Sequence, residues 1–513
     1  MKTYIVKWVP SLICAVVYDE SLDELREQGI RALAQGADMV EARLDKLAVI
    51  DFDQIKEFLE ENRDLPIIFS LRSEWNSETI EPPIKGRKDN LRRLITLAPK
   101  YIDLEFPIDM SLLKEVNPNT IPVISALDFE GMAKIAFDSL VNVANSYDGE
   151  IIIKISCLPN TVEDLKQLWR WARKLQKEKI EYVIVGMGQL GQISRIKSRE
   201  LGNKWMYGRF HYKQGEPFLP GMLEIDQLSK AFANESWHLA SLGNLPETDI
   251  LRIIYNQLLE AAHMEGVFLN LPVKTSPELD QILLWIEDGL LDGVNISSPW
   301  QVEILNRLDQ LDASAQVMGA VNCVVVTKDG LRGYNTQIDG FKRSIEPFSL
   351  KRINRVFIDG TERIARAVIH VLKDQVETIV VRDEMFTTVP SPLFDDFPMI
   401  TPSQDSYSND FDLIVNCNKP ARGFENVVMI PKPVIDKAKI VFDPMSKLTQ
   451  PTPIMEMAQS LDKTTLGGFQ FFFNTALSSF ELWTKRSIPP SAIDKNLFES
   501  FHDKIDFGFM LNY

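Results

Sequence analysis

A chain of 513 residues is too long for one hydrophobic core, so two or three domains are expected. Apolar content of 45% beside 25% charged residues is that of a globular chain, not a disordered or fibrous one. A formal charge of −16 argues against nucleic acid or an anionic membrane surface as the main partner.

From the amino end, β-rich runs at 11–17, 38–44, 66–72, 101–106, 121–127, 150–156, 181–187 and 205–210 are predicted strands. Helix-period stretches lie between them, among them Ser21–Gln35, Asp53–Asn62 and Thr161–Lys177. Thr161-Val-Glu-Asp164 reads as a capping box opening the last of these. Eight strands, most followed by a helical run, predict a (β/α)₈ barrel over 1–230. The pattern restarts after Asn234. Residues 238–340 read as a small α/β unit, and 354–382 as strand, tight turn, long helix and strand, a βαβ element of the mononucleotide-binding sort. Residues 465–485 read as a helix with apolar residues all round, and the stretch after Pro489 is expected to pack loosely. No apolar run reaches the ~18 residues that span a bilayer, and Met1–Pro10 is too short and mixed for a signal peptide. Cys14, Cys157, Cys323 and Cys417 form no C-x-x-C pair and fit reduced structural thiols. The expected address is the cytoplasm.

Gly149-Glu-Ile-Ile-Ile-Lys154-Ile-Ser156 places a lysine near the end of an apolar, β-branched strand. Desolvating an ammonium is costly. Either the side chain reaches solvent, or the lysine has a task such as imine formation. Further polar residues cluster at strand ends in Gly36-Ala-Asp-Met-Val-Glu41-Ala-Arg43-Leu-Asp45, Phe69-Ser-Leu-Arg72, Tyr101-Ile-Asp-Leu-Glu105 and Met187-Gly-Gln-Leu-Gly-Gln-Ile-Ser194-Arg195. Together these segments resemble type I 3-dehydroquinate dehydratase. In that family the lysine forms an imine with the 3-keto group, a histidine in Ser-x-His-Asp-Phe moves the protons, and arginines bind the substrate. The resemblance implies that Lys154 is the candidate Schiff-base lysine and that Glu41, Arg43, Arg72 and Arg195 form the polar shell. The histidine position is Leu127, Asn76 stands for a glutamate, and Phe218 and Met222 stand for a serine and a glutamine of the lid loop. No histidine precedes His211, which would lie just after the eighth strand; a solvated loop residue or a surrogate base are its two readings. Arg43 and Arg195 are expected to favour the neutral amine of Lys154.

The second half resembles shikimate dehydrogenase in Asp292-Gly-Val-Asn295-Ile-Ser297-Ser-Pro299-Trp-Gln301, in Gly319-Ala-Val-Asn322-Cys, and in Gly333-Tyr-Asn-Thr336-Gln337-Ile-Asp-Gly340. Phe411–Asn416 and Phe469–Trp483 match its later segments. The order is that of the bifunctional enzymes of two adjacent shikimate-pathway steps. The implied fold is an N-terminal (β/α)₈ barrel followed by a two-lobed unit. A substrate lobe spans 238–340, a Rossmann-like lobe 341–465, and a C-terminal helix and tail returning to the substrate lobe 466–513. The resemblance makes Asn295, Ser297, Asn322 and Asn474 substrate-binding positions, with Gly360 and Arg382 toward the cofactor.

Departures fall on the chemistry here too. Gln301 and Gln337 occupy the family's lysine and aspartate positions, and an amide neither gives nor takes a proton at neutral pH. Asp249 and Leu251 replace two serines, although Asp249 also suits the N-cap of the next helix. The glycine-rich loop becomes Gly360-Thr-Glu362-Arg363, which puts bulk and negative charge where a phosphate would sit. Asp383-Glu384 follow Arg382 and weaken it as an anion site. These changes predict a divergent family member with both activities lost or strongly reduced, acting by binding or regulation; the alternative is altered imine chemistry at Lys154. No cofactor or metal is expected for the barrel, and NADP, implied for the second half, is expected to bind weakly or not at all. The expected partners are a small shikimate-pathway-like ligand or another protein, with no nucleic acid and no membrane.

Overall fold

The computed structural model describes residues 12–61, 65–73, 86–210, 221–243, 250–348, 353–360, 363–382, 410–418, 428, 430–444 and 451–489. The chain divides into two compact units. The first contains eight strands: β1 (Leu12–Val17), β2 (Met39–Arg43), β3 (Ile67–Ser70), β4 (Tyr101–Glu105), β5 (Ile121–Asp128), β6 (Ile152–Cys157), β7 (Glu181–Gly186) and β8 (Trp205–Gly208). They form one sheet in the order β7-β6-β5-β4-β3-β2-β1-β8, with parallel neighbours throughout. Each falls on a predicted run. Segments such as Ile-Ile-Phe-Ser70 are buried along their whole length, as a parallel sheet covered by helices demands.

The ring closes between β7 and β8 through a side chain. The Ile184 N–H donates to Asn203 Oδ1 at 2.7 Å, and Asn203 Nδ2 donates to the Ile184 carbonyl at 3.1 Å. One backbone bond, from the Lys204 N–H to the Tyr182 carbonyl, accompanies them. The helix Val162–Glu178 opens with the capping box read from sequence: Asp164 N–H donates to Thr161 Oγ1, and Thr161 N–H to Asp164 Oδ2. Its apolar residues Leu165, Leu168, Ala172 and Leu175 are buried.

The glycines after β7 have a steric cause. A Cβ on Gly191 would lie 2.7 Å from the Gly186 carbonyl oxygen and 2.9 Å from its Cα. With that gap closed, Ser194 Oγ accepts from the Gly186 N–H at 2.8 Å and donates to the Gly191 carbonyl at 2.7 Å. The helix Gly188–Ile196 is thereby pinned to the end of β7. Arg195, in its last turn, donates to the Tyr207 carbonyl at 3.2 Å.

The second half carries two sheets. Strands β9 (Trp237–Gly243), β10 (Gly266–Pro272), β11 (Gly293–Ile296), β12 (Gln310–Leu311), β13 (Cys323–Thr327) and β14 (Gly330–Tyr334) form a mixed sheet in the order β10-β9-β11-β13-β14-β12. Strands β15 (Arg355–Asp359), β16 (Thr378–Arg382), β17 (Leu413–Asn416), β18 (Ile440–Asp443) and β19 (Thr464–Gly467) form a parallel sheet ordered β16-β15-β17-β18-β19. The helix Arg363–Leu372 follows β15, completing the predicted βαβ element.

One segment differs from expectation. Residues 465–485 are not a single helix: Thr464–Gly467 is an edge strand, paired with β18, and the helix runs Gly468–Thr484. The β-branched Thr464 and Thr465 suit the ladder, and Gly467, in extended conformation, is the N-cap. The helix itself is enclosed. Phe471, Phe480 and Trp483 are buried, and Trp483 Nε1 donates to the Val324 carbonyl at 2.9 Å. Phe471 shares a core with Phe341, Ile345, Val368 and Phe442. Among the described residues, no helix is long and apolar enough to cross a membrane. The tail after Pro489 lies outside the described residues.

Replacing Gly191 with alanine sets a methyl against backbone that cannot move aside. It is expected to cost about 1–3 kcal/mol, read as a lower urea midpoint at unchanged slope. Gly29 lies inside the helix Leu22–Ala34 with nothing within 4 Å of an added Cβ. Gly29→Ala should instead stabilise, by about 0.5–1 kcal/mol.

Candidate functional site

Lys154 does not reach solvent. Its side chain is 5% exposed, and Nζ donates to Glu41 Oε2 at 2.6 Å and lies 3.4 Å from Asp103 Oδ2. The strand-end position read from sequence therefore faces the barrel interior. Glu41 on β2 and Arg72, two residues past β3, join it. Arg72 Nη2 is 3.0 Å from Asp103 Oδ2 and 3.7 Å from Glu41 Oε1, while Nη1 donates to Ser125 Oγ at 2.8 Å and reaches Glu105 at 3.4 Å. Ser125 Oγ donates in turn to Asp103 Oδ1 at 2.7 Å. Behind this group, the Arg87 guanidinium meets both oxygens of Asp109 at 2.7 Å and Glu105 at 3.2 Å.

The sequence-predicted residues divide accordingly. Glu41, Arg72 and Lys154 are brought together, and Arg195 is one step removed, at the backbone of Tyr207. Arg43 turns to Asp45, donating from Nε at 2.8 Å and from Nη2 at 2.7 Å. Nζ meets two carboxylates, those of Glu41 and Asp103. Asp103, Glu105, Ser125 and Tyr207 escaped sequence reading as site residues. The signal for two of them was present: Asp103 and Glu105 alternate in a short buried strand and so share a face.

Leu127 lies two residues beyond Ser125 on β5, in register with Ser156. Strand alternation puts it on the face of Ser125 and of Lys154, one pleat nearer the strand's C-terminal end. It is half-buried. Met222 is half-buried, beside Gly221, whose Cβ would strike the backbone of Gly188. Asn76, His211 and Phe218 lie outside the described residues.

In the second half, the matching polar residues bond to one another. Asn322 Oδ1 accepts the Thr336 N–H at 2.9 Å, and its Nδ2 donates to Thr336 Oγ1 at 3.1 Å. Thr336 Oγ1 is 2.9 Å from Ser479 Oγ, and Ser297 Oγ is 2.9 Å from Ser241 Oγ. Asn474 Nδ2 donates to Ser344 Oγ at 3.0 Å, tying the helix Gly468–Thr484 to the helix Gln337–Ile345. Asn295 is buried near the end of β11. Gln301 Nε2 donates to the Ile296 carbonyl at 3.0 Å, and its Oε1 takes a long bond from Arg363 Nη1 at 3.4 Å. Gln337 opens its helix, its N–H donating to Asn335 Oδ1 at 3.1 Å. Leu251 is buried in the helix Ile250–Ala261. Asp249, Glu362, Asp383 and Glu384 lie outside the described residues.

Gly360 has φ +104°, and a Cβ there would strike Asn418, so the turn after β15 requires its glycine. Arg382 fits a 2′-phosphate poorly for a reason other than the acids that follow it. Its Nε and Nη2 hold both oxygens of Asp359, at 2.6 and 2.7 Å, and both side chains are buried. A guanidinium committed in this bidentate way is not offered to a phosphate.

Residues 13–236 match the family model for type I 3-dehydroquinase, and 252–324 that for the shikimate dehydrogenase substrate binding domain. The bifunctional 3-dehydroquinate dehydratase/shikimate dehydrogenase, chloroplastic, of Arabidopsis thaliana is 24% identical, covering 94% of this chain and 83% of the relative. The shikimate biosynthesis protein AroDE of Chlamydia pneumoniae is 22% identical over 96% of this chain and 100% of its own. The chain belongs to the bifunctional dehydroquinase–shikimate dehydrogenase family. Among solved structures, the dehydroquinate dehydratase and shikimate dehydrogenase part of S. pombe AroM covers 96% of this chain and 99% of its own, with 20% identity and a TM-score of 0.45. Within the family frame, the dehydroquinase-like half keeps its lysine among charges, and the shikimate dehydrogenase-like half uses its matching polar groups internally.

Electrostatics in the barrel give a pH signature. Burial raises the Glu41 carboxyl, but Lys154 and Arg72 outweigh it and bring it down to about 2. An unfolded glutamate titrates near ~4.3, so Glu41 contributes stability above that pH and loses it as pH falls through about 2. Glu41→Gln is expected to cost about 3–5 kcal/mol near neutrality. It should also flatten the acid limb, so that urea midpoints fall less steeply between pH 4.5 and 2 than in the parent.

Proposed function

We propose that this family member has lost proton transfer at both sites and acts by binding a small hydroxylated ring acid, or a protein partner, rather than by turning over substrate. The observation that carries the reading is Leu127, a side chain without a titratable group, on the same strand face as Ser125 and Lys154. Elimination of water from 3-dehydroquinate needs a group that takes and returns protons, and leucine does neither. The amides Gln301 and Gln337 make the same change in the second half, where lysine and aspartate would serve shikimate oxidation. NADP is the cofactor named for shikimate dehydrogenase relatives, and the Asp359–Arg382 pair supports weak or absent binding of it here. Neither nucleic acid nor membrane is the partner, and the cytoplasm is the site of action.

A second reading is favoured by Lys154 itself. A lysine buried in the barrel interior, away from water, is of the kind that imine chemistry uses, which favours carbonyl capture without turnover, or with altered chemistry. Mass spectrometry after borohydride with 3-dehydroquinate, run beside a steady-state dehydration assay, separates the readings. An adduct on Lys154 without product supports capture; neither adduct nor product leaves binding through other groups.

Dehydration of 3-dehydroquinate is expected to be at least ~10²-fold slower than in relatives that have the histidine. Leu127→His should raise it, and near-normal turnover by the unaltered protein would sink the proposal.

The second half is expected to show no micromolar NADP binding by titration calorimetry and no saturable shikimate binding by ligand-observed NMR at millimolar concentration. Asp249→Ser, Leu251→Ser, Gln301→Lys and Gln337→Asp together should recover shikimate binding before any catalysis. Saturable binding by the natural sequence would instead mean that the cleft still serves that ligand.

A further inference from the structure

Glu41 Oε2 accepts from two buried donors at once. Lys154 Nζ lies 2.6 Å from it, and Tyr207 Oη also 2.6 Å. The tyrosine ring flanks the lysine, with Nζ 4.6 Å from its centroid. The three side chains come from β2, β6 and β8 and have almost no exposure. A phenylalanine would fill the same space and offer Nζ the same kind of ring face. The hydroxyl is therefore the feature that needs a reason. Burial, and then the charge of Glu41, push the Tyr207 phenol well up, so it stays protonated and donates. Two donors on one carboxylate oxygen compete: each draws charge that the other would otherwise use.

We propose that Tyr207 is a positioning residue that sets the reactivity of the Lys154 amine through Glu41. Glu41 Oε2 ties down Nζ through a short bond, and the Tyr207 hydroxyl, bonded to the same oxygen, loosens that tie. This rests on the reading of Lys154 as the carbonyl-capturing group of the barrel. Other charged or titratable groups near the lysine include Asp103, Arg72 and Cys14. Asp103 Oδ2 is 3.4 Å from Nζ and is itself held by Arg72 Nη2 at 3.0 Å. The Cys14 thiol is kept protonated by burial and then by Glu41. Ser125 and Val183, in register with Lys154 on the flanking strands, carry no charge. In capture, the ammonium first gives one proton to solvent, and neutral Nζ then adds to the carbonyl carbon. The carbonyl oxygen leaves as water, a C=N bond forms, and hydride from an added borohydride reduces it to a secondary amine.

The test uses the full chain with formaldehyde and borohydride, following methylation of Lys154 by peptide mass spectrometry at pH 7.5. Formaldehyde needs no binding site, so the result does not depend on whether the barrel binds 3-dehydroquinate. Tyr207→Phe is expected to slow Lys154 methylation about threefold or more at pH 7.5, and Glu41→Gln to speed it about tenfold. The double variant should match Glu41→Gln alone, since Tyr207 acts only through Glu41. A purely structural role for Tyr207 gives the opposite sign, because looser packing admits more reagent and raises the rate. That sign keeps Tyr207→Phe decisive even if Glu41→Gln does not fold. An unchanged or faster rate in Tyr207→Phe overturns the inference. Failure to capture 3-dehydroquinate with the formaldehyde pattern intact overturns the functional reading alone.

Discussion

The barrel is organised around an interior ion network with Arg72 at its hub. One guanidinium reaches Asp103, Glu105, Glu41 and Ser125, and through the two acids it shares with Lys154 it ties the ends of β2, β3, β4, β5 and β6. Charges taken from water at this depth are tolerable only as a set. Removing one member leaves its partner buried and uncompensated, which is far worse than never having had the pair. Each retained charge therefore protects the others. No member of this network leans on Leu127, whereas Lys154, Glu41 and Arg72 could not be removed singly without damage to the fold. The burial of Lys154 is then accounted for by the network that holds it.

The second half shows the same division in uncharged form. Asn322, Thr336 and Ser479 satisfy one another, and Asn474 joins two helices through Ser344. Buried amides and hydroxyls of this kind are costly to leave unpaired. Such side chains are held in place by their neighbours, whether or not they also meet a ligand. Gln301 has a structural partner as well, since its amide bonds to the Ile296 carbonyl.

Much of this was legible in the chain. Eight β-rich runs and the intervening helical periods placed the barrel strands to within a few residues, because each strand is buried on both faces and reads as an apolar run. Lys154, Glu41 and Arg72 were legible because charges are rare in such runs. The identity of their partners was not. That Arg72 would meet Asp103 depends on register between strands, and that Arg43 would turn back to Asp45 depends on a local turn; neither leaves a trace in spacing. Arg382 looked weak as an anion site because of the acids that follow it, while the acid that occupies it, Asp359, sits on the neighbouring strand, 23 residues earlier. Tyr207 gave no sign at all, since a tyrosine in a buried strand most often reads as packing. The boundary at Gly467 was missed because Thr464–Leu466 is equally at ease as strand or helix entry until its pairing with β18 decides.

Closure of the barrel by Asn203 has a consequence for how the molecule ages. Elsewhere around the ring, neighbouring strands are joined by backbone, which chemistry leaves alone. Here part of the hoop is an amide whose oxygen accepts from one group of Ile184 and whose nitrogen donates to another. Hydrolysis of that amide to a carboxylate would keep the acceptor and delete the donor. It would leave a negative charge against the Ile184 carbonyl, in a place almost sealed from water. The seam would then rest on the backbone bond from Lys204 to the Tyr182 carbonyl. The Asn203 side chain endures because it is buried and held on both sides, so the seam and the bond that could undo it shelter each other.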